Sequence, residues 1–195
     1  VLLLGTSNRD KVRELQAILS GLPYEVKSLA DFPPVPEPVE DGKTFEENAI
    51  KKAEYYRDAF QVMTVADDSG LEVDDLGGAP GVLSARYAGE GCSYSDNNEK
   101  LLDALHESMW HERTARFVCC AALADLDKAP YVAQGEIKGH IAVEPFGENG
   151  FGYDPIFVPE DHDCTFAEMT QEEKHKISHR GRAFEMIRDY LRSYT

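Results

Sequence analysis

The apolar run Val62-Met63-Thr64-Val65-Ala66 leads straight into Asp67-Asp68-Ser69-Gly70-Leu71. The run reads as a buried strand, and two adjacent carboxylates at its end demand partners. Strand, acids and then a small hydroxyl residue with glycine is an arrangement that holds a hard cation at the lip of a sheet. Mg²⁺ takes one or two carboxylates and leaves its other positions to water and substrate phosphates. The same residues are also good turn chemistry, because Asp, Ser and Gly each favour turns. The motif alone admits both readings, and the rest of the chain has to separate them.

The alternation of elements around this motif predicts an α/β fold with a mixed sheet. Val1 to Leu4 is a strand, and Gly5-Thr6-Ser7-Asn8 is a turn. From Asp10, Val12, Leu15, Ile18 and Leu19 fall at helical spacing, with Gly21 as the stop. Phe32 to Pro38 holds four prolines and reads as an extended surface segment. Thr44 and Glu47 have capping-box spacing, opening a helix to Phe60 with Phe45, Ala49, Ala53, Tyr56 and Phe60 inward. A helix is expected over Asp96–Glu107, strands over Arg116–Leu123 and Ile156–Val158, and one or two further strands over Tyr131–Val143, which Gly135 and Gly139 interrupt. A closing helix is expected over Ser178–Arg192. No linker or repeat divides the 195 residues, which read as one domain.

Charge excludes some partners. A net charge of -16 repels a duplex or a long RNA, whereas a local basic cluster can still hold one nucleotide. None of the four cysteines sits in a C-x-x-C pair, and Cys119 and Cys120 lie in an apolar run. That usage fits a reduced, cytoplasmic compartment better than a zinc or disulfide framework. Val1-Leu2-Leu3-Leu4 is too short for a leader or a membrane span, and no later run reaches the length needed. Because the sequence starts at Val1, a residue or two are expected to precede it.

Several groups of residues carry candidate chemistry. Thr6-Ser7-Asn8-Arg9-Asp10-Lys11 joins a strand to a helix start, a place where free N–H groups and the helix dipole favour an anion. It equally suits an Asn or Thr cap beside a solvated lysine. Glu40 precedes the capped helix, as a cap or as a second metal carboxylate. Asn48 and Lys52 share one face of that helix. Phe151-Gly152-Tyr153-Asp154 sets an aromatic between glycines, as in a base-stacking loop or a plain turn. Lys174 to Arg182 is a cationic cluster that ends at an expected helix N-terminus, where basic residues oppose the dipole and gain from a polar ligand.

Taken together, TSNRDK (Thr6–Lys11), EDGKTFEENAIKKA (Glu40–Ala53), ADDSGLEVDDLGGAPGVLSARYAG (Ala66–Gly89), FGYDPIF (Phe151–Phe157) and KHKISHRGRA (Lys174–Ala183) resemble the inosine triphosphate pyrophosphatase, or Ham1, family. The resemblance spans nearly the whole chain. It implies an elongated mixed sheet flanked by helices, with two lobes and a central active-site cleft. It implies hydrolysis of dITP, ITP and XTP to the monophosphate and pyrophosphate, with Mg²⁺, by a homodimer. By the same resemblance, Thr6, Ser7, Asn8, Arg9, Asp10 and Lys11 hold the phosphates with Lys52 and Ser69. Asp68 is the general base, Glu40 and Asp68 serve the metal, and Phe151, Gly152, Tyr153, Asp154, Lys174, His179 and Arg180 form the nucleoside pocket.

Two positions depart from the family pattern. His175 stands where the family commonly has Asn, and Glu148-Asn149-Gly150 where it has Thr-Gly-Gly. A Maf-like pyrophosphatase fits the Asp67–Gly70 and Ser178–Arg180 segments poorly. An aspartyl-phosphate phosphatase would need Asp-x-Asp, and a nucleotide-binding regulator would not need the full set of acids.

Overall fold

The structure is a computed structural model that describes residues 1–193. Its six strands form one mixed sheet of order β2-β1-β3-β4-β5-β6. The strands are β1 (Leu2–Leu4), β2 (Val26–Ser28), β3 (Thr64–Val73), β4 (Thr114–Ala124), β5 (Tyr131–Ile141) and β6 (Phe157–Pro159). β1 runs parallel to both β2 and β3, with Leu4 opposite Val65. β5 and β6 are antiparallel, with Ile141 opposite Phe157. The helices are α1 (Arg9–Ile18), α2 (Phe45–Phe60), α3 (Tyr94–Ala104), α4 (Gln171–Ile177) and α5 (His179–Ser193). No described helix is long and apolar enough to cross a membrane.

The chain forms two compact units. The first comprises Val1–Asp68, Cys119–Gly135 and the segment from Arg180 onward. Its core joins Leu2 and Leu4 of β1, Leu15 and Ile18 of α1, Cys119 and Leu123 of β4, and Phe184, Ile187 and Leu191 of α5. The second comprises Ser69–Val118 and Glu136–His179. Its core joins Leu71 and Val73, Leu101 and Leu105, Phe117, Phe157 and Phe166. Burying each such side chain fully contributes about 1.5–3 kcal/mol relative to leaving it exposed. Cys119 and Cys120 are buried, as their apolar setting predicts.

Several local expectations change. The acids of Asp67-Asp68-Ser69-Gly70 do not end a strand in a turn: β3 continues through them to Val73. Leu71 and Val73 are buried on either side of half-buried Glu72, so core packing beyond the acids outweighs the local turn preference. The closing helix is found as α5, but a short helix that was not expected, α4, precedes it, separated by extended Ser178 (φ -67°, ψ 155°). The Thr44 box is half formed: Thr44 Oγ1 accepts from Glu47 N at 3.1 Å, but Glu47 Oε2 takes the Lys43 N–H instead. Helix α3 also starts earlier and ends sooner than its apolar spacing predicts, capped by Ser93 and Asp96.

Candidate active site

In the first unit, β3 presents its carboxylates to three helices, α1, α2 and α5. Asp67 is fully buried, and its Oδ2 meets Lys11 Nζ at 3.0 Å and Arg180 Nε at 3.5 Å. Arg180 Nη1 also donates to Glu14 Oε2 at 2.6 Å. Burial alone lowers the pKa of a guanidinium, but Glu14 and Asp67 outweigh it and hold Arg180 above its ordinary value. Lys11, Glu14, Asp67 and Arg180 therefore form one buried ionic network. Lys11 is not a solvated cap neighbour. Glu14 was missed from the sequence, although a charged residue flanked by Lys11 and Ile18 on the inward face of α1 was a visible signal.

Asp68 has different neighbours. Asn48 Nδ2 donates to Asp68 Oδ2 at 2.9 Å, and Lys52 Nζ lies 3.8 Å from Asp68 Oδ1. The shared face of Asn48 and Lys52 on α2 thus converges on one carboxylate. Asn48 Oδ1 in turn accepts the Gly42 N–H at 2.8 Å, which ties the segment before α2 down to the helix. A Cβ at Gly42 would lie 2.5 Å from that oxygen, so this close approach needs glycine. The same segment brings Glu40 Oε2 to 3.1 Å from Lys52 Nζ.

The electrostatics of the pair follow from burial. Burial raises the Asp68 carboxyl above its ordinary range, and Lys52, Lys11 and the Asn48 hydrogen bond pull it down without cancelling that. Burial works to lower the Lys52 ammonium, but Asp68, Asp67 and Glu40 together raise it. The result is a carboxylate of increased basicity beside a firmly charged lysine. Glu40 Oε2 and Asp68 Oδ1 approach the same ammonium, and a pair of hard carboxylate oxygens converging on one cation suits Mg²⁺. Among the described residues, no cluster of three or more His, Cys, Asp and Glu side chains has metal-binding geometry.

The Thr6–Lys11 turn is built as a cap. Asn8 Oδ1 accepts from Asp10 N at 2.9 Å and Lys11 N at 3.2 Å, and Thr6 Oγ1 accepts from Asn8 N at 3.2 Å. Two N–H groups that an isolated helix end would offer an anion are thereby used by Asn8. Ser7 and Arg9 are exposed and Asp10 is half-buried. Thr6, Ser7 and Arg9 line a groove of about 410 Å³ with Pro34, Tyr56 and Phe60. The proline-rich segment accordingly forms a wall of this groove.

In the second unit, Asp154 buckles the Phe151 turn. Its Oδ2 accepts from Lys174 Nζ at 2.6 Å and from Phe151 N at 2.8 Å. Both side chains are almost fully buried. Lys174 also stands 5.0 Å from the centre of the Phe151 ring, which is half-buried. Gly150 has φ +72°, and a Cβ there would lie 2.0 Å from Asp154 Oδ2. Tyr153 packs into the core and donates its hydroxyl to Ser84 O at 2.8 Å. Asn149, at one of the positions that depart from Thr-Gly-Gly, donates its Nδ2 to Met169 O at 3.0 Å.

The cationic cluster divides. The cluster ends at a helix N-terminus as expected, with His179, Arg180 and Arg182 in the first turn of α5, whereas Lys174, His175 and Lys176 lie in the last turn of α4, where cations complement the dipole. His179 is buried in the second unit and stacks on Phe117 at 4.6 Å. Arg180 belongs to the first unit and its ionic network. Ser69 is half-buried, immediately after Asp68 on β3.

Comparison with known proteins places the chain in a family. The family model for the Ham1 family matches residues 2–190. A dITP/XTP pyrophosphatase of Geobacter sulfurreducens is 49% identical over 190 residues, covering 97% of this chain and 96% of its own length. A dITP/XTP pyrophosphatase of Bacillus subtilis is 48% identical over 189 residues, covering 97% and 96%. Among solved structures, a HAM1 protein from Coxiella burnetii has a TM-score of 0.89 at 41% identity, covering 98% of each chain. The Staphylococcus aureus Ham1 protein has a TM-score of 0.88 at 40% identity, covering 100% of this chain and 99% of its own. With its acids, its two lysines and its Phe151 turn held as described, the chain belongs to the Ham1 family.

Proposed function

We propose that the chain hydrolyses the non-standard purine nucleoside triphosphates dITP, ITP and XTP to the nucleoside monophosphate and pyrophosphate. The observation that carries this reading is Asp68: a buried carboxylate of raised basicity, oriented by Asn48 and set beside Lys52. The relatives named as dITP/XTP pyrophosphatases support the substrate class.

In this reading Asp68 takes a proton from a water whose oxygen attacks the α-phosphorus. The bond from that phosphorus to the bridging oxygen breaks, and pyrophosphate carries away the electron pair. Lys11 and Lys52 offset the charge that develops, with Thr6, Ser7, Asn8, Arg9, Asp10 and Ser69 placing the phosphates. Positioning and electrostatics of this kind carry most of phosphoryl-type catalysis. Glu40 and Asp68 would hold Mg²⁺, which when bound neutralises phosphate charge.

The Phe151–Asp154 turn and Lys174 are assigned the nucleoside. Selectivity is assigned to donors facing the purine 6-oxo group, with His179 and Arg180 as the residues nominated by the family resemblance. A 6-amino group presents a donor in that place, and a site built for an acceptor can reject it by roughly 10⁴-fold. A homodimer in a reduced, cytoplasmic setting completes the proposal. Pyrophosphate release from ITP, XTP, GTP and ATP, measured side by side with and without Mg²⁺, tests it. Fast release from ITP and XTP against slow release from ATP is expected, and equal rates for ITP and ATP contradict the readout.

A further inference from the structure

Helix α3 carries two side chains that its apolar pattern does not account for. Tyr94 and Asn98 stand four residues apart and so share one face of the helix. Each reaches the turn that begins at Phe151. The Tyr94 and Phe151 ring centroids are 5.9 Å apart at 40°. Asn98 Nδ2 donates to the Gly152 carbonyl at 3.1 Å. That carbonyl lies in the middle of Phe151-Gly152-Tyr153, where Gly152 has φ +65°.

The carbonyl fixes which way the Asn98 amide points. Turned over, Oδ1 would face the Gly152 oxygen, acceptor against acceptor. In the orientation that remains, Oδ1 accepts no hydrogen bond from the described residues, in a side chain only 8% exposed. A buried acceptor without a donor costs stability, and an apolar side chain would avoid that cost. Leu101 and Leu105 already supply the fully buried anchors of this segment. Neighbouring Asn97 is satisfied at both ends of its amide, by Ala88 N at 2.7 Å and Ala85 O at 3.2 Å. Asn98 is therefore placed for Gly152 and not for the core.

We infer that Asn98 is a positioning residue for the purine: it holds the Gly152 carbonyl and thereby sets the attitude of the Phe151 ring. The inference rests on the reading that the Phe151 turn takes the base, and it deepens that reading with a residue outside the family motif carried over above.

The test separates base-dependent from phosphate-dependent binding. Asn98→Asp keeps the shape but replaces the donor with a carboxylate facing the Gly152 oxygen. Its KM for ITP is expected to rise about tenfold or more, the scale of one lost hydrogen bond turned repulsive. Its kcat is expected to stay within about twofold, as is inhibition by inorganic tripolyphosphate, which has no base. Asn98→Ser, shorter and neutral, is expected to move KM in the same direction, and it decides the matter if Asn98→Asp does not fold. An unchanged KM in a folded variant overturns the inference, and so does an equal loss for ITP and tripolyphosphate. Wild-type protein that fails to hydrolyse ITP overturns the underlying function and this inference with it. Active wild-type protein with variants that match it overturns this inference alone.

Discussion

Lys11 Nζ lies 3.0 Å from Asp67 Oδ2, although 56 residues separate them in the chain. The bond ties the first turn of α1 to the middle of β3. Arg180 reaches the same oxygen from the start of α5 and continues to Glu14. Two cations thus face a carboxylate with no solvent exposure. This gives Asp67 a defined task, distinct from that of its neighbour Asp68: it sets the place of Lys11.

Asp67→Asn keeps the shape and removes the charge. Lys11 then loses its carboxylate, and Arg180 loses Asp67 while keeping Glu14. Removing one partner from a buried ionic network typically costs about 3–5 kcal/mol, and the isosteric change is expected at the lower end, about 3 kcal/mol. Urea denaturation at neutral pH measures it. A loss no larger than that of an exposed surface pair would contradict the network.

Asp68 gives stability the opposite sign. Its folded-state pKa stands above the ordinary value of 3.8 because burial disfavours the charged form. The folded chain therefore holds that proton more tightly than the unfolded chain. Below 3.8 both states are protonated, and the group contributes nothing. As pH rises from there through the raised value, the unfolded state releases its proton first and stability falls, staying lower above it. In metal-free buffer Asp68→Asn is expected to melt above wild type at pH 7 and level with it near pH 3. Thermal melts at the two pH values check this, and a lower melting point for the variant at pH 7 would contradict it.

The Lys174–Asp154 pair is the corresponding device in the second unit. Both side chains are almost wholly buried, at 2.6 Å. Lys174→Met leaves the Asp154 carboxylate without its ammonium and is expected to cost about 3–5 kcal/mol. Adding Asp154→Asn removes the uncompensated charge, so the double variant is expected to be more stable than Lys174→Met alone. A double-mutant cycle by denaturant melts reads this coupling. Strict additivity would show that the pair carries no interaction energy.

Much of this was legible in residue spacing. Asn48 and Lys52 share a helical face, and both reach Asp68. The expected strands and helices are found, apart from the unforeseen β2 and α4, and Cys119 and Cys120 are core. What was not legible depends on tertiary context. β3 runs through Asp67-Asp68 because Lys11 and Arg180 offset the buried charge and because Leu71 and Val73 pack beyond it. The alternation Leu71-Glu72-Val73 was a faint period-two signal for that extension. Glu14 and Arg180 are 166 residues apart, and no local pattern announces their pairing. Lys174 falls in the last turn of α4 because Thr170 and Glu173 form a capping box ahead of it, one that the basic run obscured.

The most direct test of the account is pyrophosphate release from ITP by Asp68→Asn with Mg²⁺, with binding of the nucleotide measured in parallel. The variant keeps Asn48, Lys52 and Lys11 and loses the carboxylate proposed to accept the proton of water and to share the Mg²⁺ with Glu40. Release is expected to fall by about 10²–10⁴-fold, the usual contribution of a positioned general base, with nucleotide affinity changed only a few-fold. Release close to the wild-type rate would contradict the assignment of Asp68 and the mechanism built on it.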